Sequence, residues 1–164
     1  MFQVGDYIIY GYNNVCRVEE IGKFDIQGTP QDKEYYYLVP VYAPGSKVFT
    51  PVDNNKVMMR PILTKEEAWT LIDELKMIEP LDIPDFRKKE EVYKEALRSC
   101  DSRQWVRVIK TVYLIREERQ AEGKKATASD EKYFNIAKEE LHKELAIVLD
   151  IAKDEVEDVI LARI

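Results

Sequence analysis

The hydrophobic period of this chain changes once, at Thr64. Before Thr64, short apolar runs alternate with polar residues and are separated by turn-forming residues, a pattern typical of strands. After it, apolar residues recur every three or four positions, which predicts amphipathic helices. The sequence therefore predicts an α+β protein of two domains, a strand-built domain over residues 1–63 and an all-helical domain over residues 64–164.

Five short strands are predicted in the first half. Turn residues such as Asn13-Asn14, Pro44-Gly45 and Asp53-Asn54-Asn55 separate them at close spacing, which favours a small, strongly bent β-barrel. Proline cannot donate a ladder hydrogen bond, so Pro40 and Pro51 indicate edges or bulges. The predicted strands cover Tyr7–Tyr10, Val15–Ile21, Tyr35–Val41, Lys47–Val52 and Val57–Arg60.

The second half predicts a compact bundle of four to five helices. Thr64 and Glu67 have the spacing of a capping box, and the apolar period after them continues to Ile78. Trp105 lies in the apolar stripe of the third helix, so we expect it in the core. Gly123 is suited to end that helix, and the segment from Thr127 to Asp130 begins the next one.

The residue types needed for catalysis are scarce. The chain has one histidine, His142, and two cysteines, Cys16 and Cys100, in segments of different period. The glycine-rich motifs that bind phosphates are absent from the sequence, as is a GxSxG nucleophile motif. We therefore expect a protein that is not an enzyme and has no catalytic residue, metal, cofactor or small-molecule substrate. With no apolar run long enough to span a bilayer and no secretory pattern at Met1, we also expect a cytoplasmic protein that does not bind membranes.

Charge is distributed unevenly along the chain. The net charge is −6, which alone argues against nucleic-acid binding. Residues 87–125, however, hold 12 Lys and Arg against 7 Asp and Glu, a net charge of +5. Cations on adjacent helices can neutralise phosphates, but they can equally form a solvated face with acidic neighbours. Composition leaves both explanations open.

The order and spacing of several motifs resemble the CarD/CdnL family of bacterial transcription regulators. The opening Phe2-Gln3-Val4-Gly5-Asp6-Tyr7-Ile8-Ile9-Tyr10 is similar to the family's f-x-x-G-d-x-V-v-Y, and Tyr93-Lys94-Glu95-Ala96-Leu97 to its Y-x-x-x-L. The same barrel resembles the polymerase-interacting module of transcription-repair coupling factor. The other similar segments are Val15–Ile21, Tyr36–Tyr42, Val48–Asp53 and Glu131–Ala146.

This resemblance implies a Tudor/SH3-like five-stranded β-barrel that docks on the β subunit of RNA polymerase. It also implies that the helical domain approaches promoter DNA through the minor groove at the upstream edge of the bubble and stabilises open complexes. The candidate DNA-binding residues are Phe86, Arg87, Lys88, Lys89, Lys94, Arg98 and Lys132.

Two positions depart from the family pattern. Relatives carry a wedge tryptophan where this chain has Lys89, and Phe86 is the nearest upstream aromatic residue, available either as a substitute wedge or for packing. Polymerase-contacting arginines of some relatives fall on Phe24 and Phe49. Docking through a strand edge depends mainly on backbone hydrogen bonds, and we expect Val48 to be a ladder donor, so that Val48→Pro abolishes binding to the β subunit. The candidate protein-binding residues are Phe24, Lys47, Val48, Phe49 and Thr50.

A second function remains open at this point. The net charge of −6 and the missing tryptophan favour a protein–protein adaptor whose barrel binds a partner while its helices never contact DNA.

Overall fold

The structure, a computed structural model, describes residues 1–30 and 32–164. The chain divides into two compact units, an N-terminal unit over Met1–Ile62 and a C-terminal unit over Leu63–Ile164. The first contains a five-stranded antiparallel sheet and the second contains five α-helices. The predicted α+β class is confirmed.

The sheet of the N-terminal unit has the strand order β4-β3-β2-β1-β5, in which every neighbouring pair is antiparallel. Strands β4 and β5 are thus its two edges. The strands are β1 (Tyr7–Tyr10), β2 (Val15–Gly22), β3 (Tyr35–Pro40), β4 (Val48–Pro51) and β5 (Met59–Pro61).

Strand β2 contains a bulge. The register with β3 shifts between Val18 and Glu20, so that β2 holds one residue more than its partner there. Such an insertion bends the strand and increases the local twist. The inner face then gathers into one apolar core, whose buried members are Ile8, Cys16, Val18, Tyr36 and Leu38.

The C-terminal unit begins at the predicted capping box. The hydroxyl oxygen of Thr64 accepts from the amide of Glu67 at 3.1 Å, and the Glu67 carboxylate accepts from the Thr64 amide at 3.1 Å. One helix through Ile78 was expected, but this was wrong: the α-helix ends at Asp73, and a 3-10 turn follows at Leu75–Met77. The helices are α1 (Lys65–Asp73), α2 (Lys89–Arg98), α3 (Ser102–Ala121), α4 (Ala128–Leu149) and α5 (Val156–Arg163).

Helices α3 and α4 form the centre of the unit and contact each other along their lengths, while α2 contacts both. Helices α1 and α5 contact α4 and each other. Trp105, on α3, is 1% exposed, so its predicted place in the core is confirmed. The predicted stripes of α2 and α4 are likewise buried at Tyr93, Ala96, Leu97, Cys100, Ala137, Leu141 and Leu145.

Gly123 ends α3 as the sequence indicates. It has a φ of +74°, in the left-handed region that glycine adopts most readily. Its amide donates to the carbonyl of Gln120 at 3.0 Å, and the amide of Lys124 donates to that of Arg119 at 2.8 Å. This pair of bonds is the Schellman motif, which satisfies carbonyls that the helix leaves unpaired.

Candidate functional site

The outer edge of β4 is the first candidate interaction surface. In the β3–β4 register Tyr36 faces Thr50, and the amide of Val52 donates to the carbonyl of Glu34 at 3.0 Å. Hydrogen-bonded and non-bonded pairs alternate in an antiparallel ladder, so the backbone groups of Val48 and Thr50 also point to β3. Those of Phe49 point away from the sheet. Val48 thus donates within the β3–β4 ladder, and the amide that faces outward is that of Phe49.

Three aromatic rings lie together beside this edge. Tyr37 and Phe49 are opposite each other in the register and stack with their centroids 5.1 Å apart. Phe24 meets Phe49 edge-on at 5.3 Å and Tyr37 at 6.4 Å. We call Phe24, Tyr37 and Phe49 the aromatic cluster. Phe24 and Phe49 were predicted from the sequence as binding residues, whereas Tyr37 was not, although its cross-strand pairing with Phe49 would have indicated it.

The other predicted polymerase-contacting residues occupy different environments. Lys47 is exposed immediately before β4. The side chain of Val48 packs against the core of the N-terminal unit, and Thr50 is 2% exposed. Val48 and Thr50 thus position the edge from inside, while Phe49 and the residues around it present its outer surface.

The second candidate surface is the turn that leads into α2. Residues Phe86–Lys88 form a 3-10 turn that Asp85 caps by accepting from the amide of Arg87 at 3.0 Å. Phe86 is 58% exposed, and the side chain of Arg87 is 91% exposed although it also pairs with Asp85 at 3.2 Å. Lys88 is exposed as well. This segment, here called the Phe86 turn, offers one aromatic ring and two cations to solvent.

Helix α2 adds less positive charge than the sequence suggested. Lys94 and Arg98 are exposed one turn apart. The same helix, however, exposes Glu90, Glu91 and Glu95, so its three cations, which include Lys89, face three carboxylates and its net charge is zero. The positive electrostatic potential around α2 is therefore much weaker than its cations alone would produce.

Lys89 is directed into the unit rather than toward solvent. Its Nζ lies 3.1 Å from Oδ2 of Asp130, which is 0% exposed. Tyr93 donates its hydroxyl to Oδ1 of the same carboxylate at 3.0 Å, and Thr127 donates to Oδ2 at 2.8 Å. We call Lys89, Tyr93, Thr127 and Asp130 the buried polar network. It joins the first residue of α2 to the first turn of α4.

The ionised form of Asp130 is the one this network favours. Burial raises the pKa of the carboxyl group, but the hydrogen bonds from Thr127, Lys89 and Tyr93 and the charge of Lys89 outweigh burial, so the pKa lies below its ordinary value. Asp130 was not among the residues selected from the sequence. A signal was present, because a tyrosine in an apolar stripe needs a partner for its hydroxyl group.

Most cations of α3 bind groups within the C-terminal unit. Lys110 donates to the carbonyl of Ile78 at 2.6 Å, and Arg107 donates to that of Glu79 at 3.2 Å. The further ion pairs of this helix are Arg103 with Glu74 and Arg116 with Glu131. These side chains hold the segment after α1 and the start of α4, and Glu74 and Glu131, which lie outside residues 87–125, offset part of the net charge of +5.

Lys132, the last of the predicted DNA-binding residues, lies in the first turns of α4. It is exposed, and its Nζ is 5.4 Å from the centroid of the Tyr133 ring. Among the predicted cations, the structure thus leaves Arg87, Lys88, Lys94, Arg98 and Lys132 exposed, and directs Lys89 inward.

The cysteines and the histidine belong to neither surface. Cys16 and Cys100 are buried free thiols, and burial raises the pKa of the Cys16 thiol to about 12, so it is unreactive at neutral pH. His142 is half-buried, and burial and then Lys138 lower its pKa. Among residues 1–30 and 32–164 no group of three His, Cys, Asp or Glu could hold a metal ion. No helix in the described part of the chain is long and apolar enough to cross a membrane.

Residues 2–63 match the model of the CarD-like/TRCF RID domain family. The matched segment coincides with the N-terminal unit, whose edge carries the aromatic cluster. Over residues 2–63 the chain is thus similar to a CarD-like domain, a kind of domain found in non-enzymatic transcription factors that interact with RNA polymerase. A search of the curated proteins finds no match to the chain.

Proposed function

We propose that this protein is a transcription regulator that holds the β subunit of RNA polymerase through its N-terminal domain, residues 1–63. Its helical domain, residues 64–164, contacts promoter DNA near the upstream edge of the bubble and stabilises open complexes. The family match over residues 2–63 carries the polymerase part of this proposal. We further propose that the protein works in the cytoplasm and has no catalytic activity.

The polymerase contact is proposed to be strand addition at the edge of β4. An extended segment of the β subunit pairs with the outward backbone groups of Phe49, as occurs when a strand adds to an exposed sheet edge. Within β4, Phe49 supplies the outward amide donor, because Pro51 has no N–H and Val48 and Thr50 face β3. The proposed set is Phe24, Lys47, Val48, Phe49 and Thr50, of which Val48 and Thr50 position the edge from inside, and we add Tyr37 to the contacting residues.

Comparing Phe49→Pro with Phe49→Ala tests this contact. Both remove the ring, but only proline also removes the outward amide donor, and an edge strand tolerates proline at such a position. We expect Phe49→Pro to bind the isolated β subunit about tenfold more weakly than Phe49→Ala, since one lost hydrogen bond in a desolvated interface is worth about 1–2 kcal/mol. Isothermal titration calorimetry on the full chain measures this. Equal affinities in two folded variants would refute strand addition at β4.

The DNA contact is proposed to be made by the Phe86 turn and its neighbours. Arg87 and Lys88 approach phosphates, and the exposed ring of Phe86 wedges between base steps at the melted edge of the bubble. Weak contacts suffice, because docking on polymerase gives the helical domain a high effective concentration at the promoter. The proposed set is Phe86, Arg87, Lys88, Lys94, Arg98 and Lys132. Lys89 is assigned to the buried polar network instead.

Removing three exposed cations together tests the phosphate contacts. In a plot of log affinity against log salt concentration, the triple variant Arg87→Ala, Lys88→Ala, Lys94→Ala should have a slope smaller in magnitude by up to about 3. Each neutralised phosphate contributes about 0.9 to this slope. The measurement is binding of the polymerase-bound protein to an upstream-fork DNA across a salt series. A matched control, Lys56→Ala, Lys65→Ala, Lys76→Ala, removes the same charge outside residues 87–125 and should keep the slope. Identical slopes for all three proteins would show that the Phe86 turn does not bind DNA.

One observation favours the alternative, a polymerase-bound adaptor that makes no DNA contact. The net charge of α2 is zero, and two cations of α3, Arg103 and Arg116, are paired with carboxylates within the C-terminal unit. The salt series separates the two functions, because an adaptor binds polymerase through β4 but gives fork DNA no additional, salt-dependent affinity.

A further inference from the structure

The surface next to the β4 edge is apolar and fixed in shape. Phe49 is 38% exposed, and Phe24 and Tyr37 are each partly exposed beside it. Tyr37 and Phe49 stack with an interplanar angle of 18°, while Phe24 meets them at 65° and 63°. Offset-stacked and edge-to-face pairs are the favoured arrangements of aromatic rings, so the three rings hold one another in place without a partner.

The register places these rings where an added strand would put a side chain. Tyr37 and Phe49 face each other across β3 and β4, and their side chains share the outer face of the sheet. A strand that pairs with Phe49 continues this row, and its residue opposite Phe49 projects over the same face. That residue therefore contacts the aromatic cluster directly.

The charge around the cluster indicates what kind of side chain fits there. The three rings are uncharged, and the charged residues nearest to them in sequence, Lys23, Asp25 and Lys47, carry both signs and are exposed. A carboxylate placed over the rings would lose hydration without a cation held against it, which is costly. An aliphatic or aromatic side chain would instead bury apolar area on both sides.

We infer that the aromatic cluster determines the specificity of the polymerase contact: the β-subunit strand that pairs with Phe49 places an apolar side chain over Phe24, Tyr37 and Phe49. This inference rests on the proposed function and adds the chemistry of the partner. Since the contact is apolar, its affinity depends little on salt, in contrast to the DNA contact of the Phe86 turn.

The variant Phe24→Arg tests this inference, because its affinity for the β subunit should fall if the partner residue is apolar and rise if that residue is acidic. Phe24 lies outside the β-strands, so the variant changes the surface and leaves the hydrogen-bonding edge of β4 intact. Against an apolar partner residue we expect Phe24→Arg to weaken binding of the full chain to the β subunit about tenfold. Against an acidic partner residue the new guanidinium would tighten binding and make it salt-dependent. Phe24→Leu, which keeps the site apolar, should stay within about threefold of the natural protein.

The remaining measurements separate this inference from the function on which it rests. Affinity of the natural protein for the β subunit should change less than about threefold between about 0.05 and 0.5 M salt. Phe49→Lys provides a second charged variant in case Phe24→Arg fails to fold, and it too should weaken binding. Tighter binding by either charged variant overturns the inference while the polymerase contact stands. Absence of any binding by the natural protein to the β subunit overturns the proposed function itself.

Discussion

Replacing Trp105 by alanine should lower the free energy of unfolding of the C-terminal unit by about 3–5 kcal/mol, the range for truncation of a buried aromatic side chain. Trp105 is 1% exposed near the start of α3, which packs against both α2 and α4. Truncation leaves a cavity in the core that the surrounding helices can close only by shifting from their packed positions, and so the lost transfer free energy and the cavity both contribute. Chemical denaturation followed by far-ultraviolet circular dichroism, which reports mainly the helices, measures the change.

Leu114→Ala is the matched control for Trp105→Ala. Leu114 lies on the same helix but is 46% exposed, and its truncation should change stability by about 0.5 kcal/mol or less. Polymerase binding should survive in Trp105→Ala under conditions where the C-terminal unit is still folded, because the aromatic cluster belongs to the other unit. A loss below about 1 kcal/mol for Trp105→Ala would mean that the ring is exposed in solution, and it would then become a candidate DNA wedge.

Local signals in the sequence located the elements well. The strand Tyr7–Tyr10 was predicted at its observed bounds, and β2 differs by one residue, since Gly22 extends it. The caps at Thr64, Thr127 and Gly123 were also identified. Each of these depends on residues within about four positions of one another, and so the information needed is present in a short window.

The errors arose where distant residues decide the structure. Helix α1 stops at Asp73 although the apolar period continues, and the segment beyond it is held by Arg107 and Lys110 through the carbonyls of residues 78–80. These bonds join residues 27 to 32 positions apart. Contacts between distant residues also explain why the number of exposed cations in residues 87–125 was overestimated. A count of cations along the sequence does not show which of them bind carbonyls or carboxylates nearby in space.

The edge of β4 shows the same limit in the N-terminal unit. The sequence indicated the strand and its partner, but the choice between Val48 and Phe49 as the outward donor depends on the register. A shift of one residue exchanges the inward and outward groups along the whole strand. The register became known only through the pairing of Tyr36 with Thr50 and the bond from Val52 to Glu34.

Lys89→Met should destabilise the C-terminal unit by about 3 kcal/mol, the lower end of the range for breaking a buried ion pair by removing one partner. Asp130 is 0% exposed and would keep its bonds from Tyr93 and Thr127 but lose its only ammonium partner in the network. Lys94→Met is the matched control: Lys94 is exposed on the same helix, and the change should cost about 0.5 kcal/mol or less. The double variant Lys89→Met, Asp130→Asn should regain much of the loss, because no charge then stays buried alone.

The pH dependence of stability is a second measure of the contribution that the Lys89–Asp130 ion pair makes. The pKa of Asp130 is lowered in the folded protein, so its ionised form contributes stability above the ordinary pKa of the group, and this contribution is lost as pH falls through the lower folded pKa. Without Lys89 the folded pKa rises toward or above the ordinary value, and protonation relieves the buried charge. We therefore expect the stability difference between the natural protein and Lys89→Met to shrink as the solution is acidified. A difference that is constant with pH would mean that the ion pair with Asp130 is not the cause.

The salt dependence of DNA binding then decides between the two roles of Lys89. If Lys89 belongs to the buried polar network, folded Lys89→Met binds upstream-fork DNA with the salt slope of the natural protein, whereas the triple variant of Arg87, Lys88 and Lys94 has a flatter slope. If Lys89 contacts a phosphate, its removal alone lowers the slope by about 0.9 and leaves stability nearly unchanged. Because Nζ of Lys89 lies 3.1 Å from a carboxylate with no exposed surface, we expect the first result.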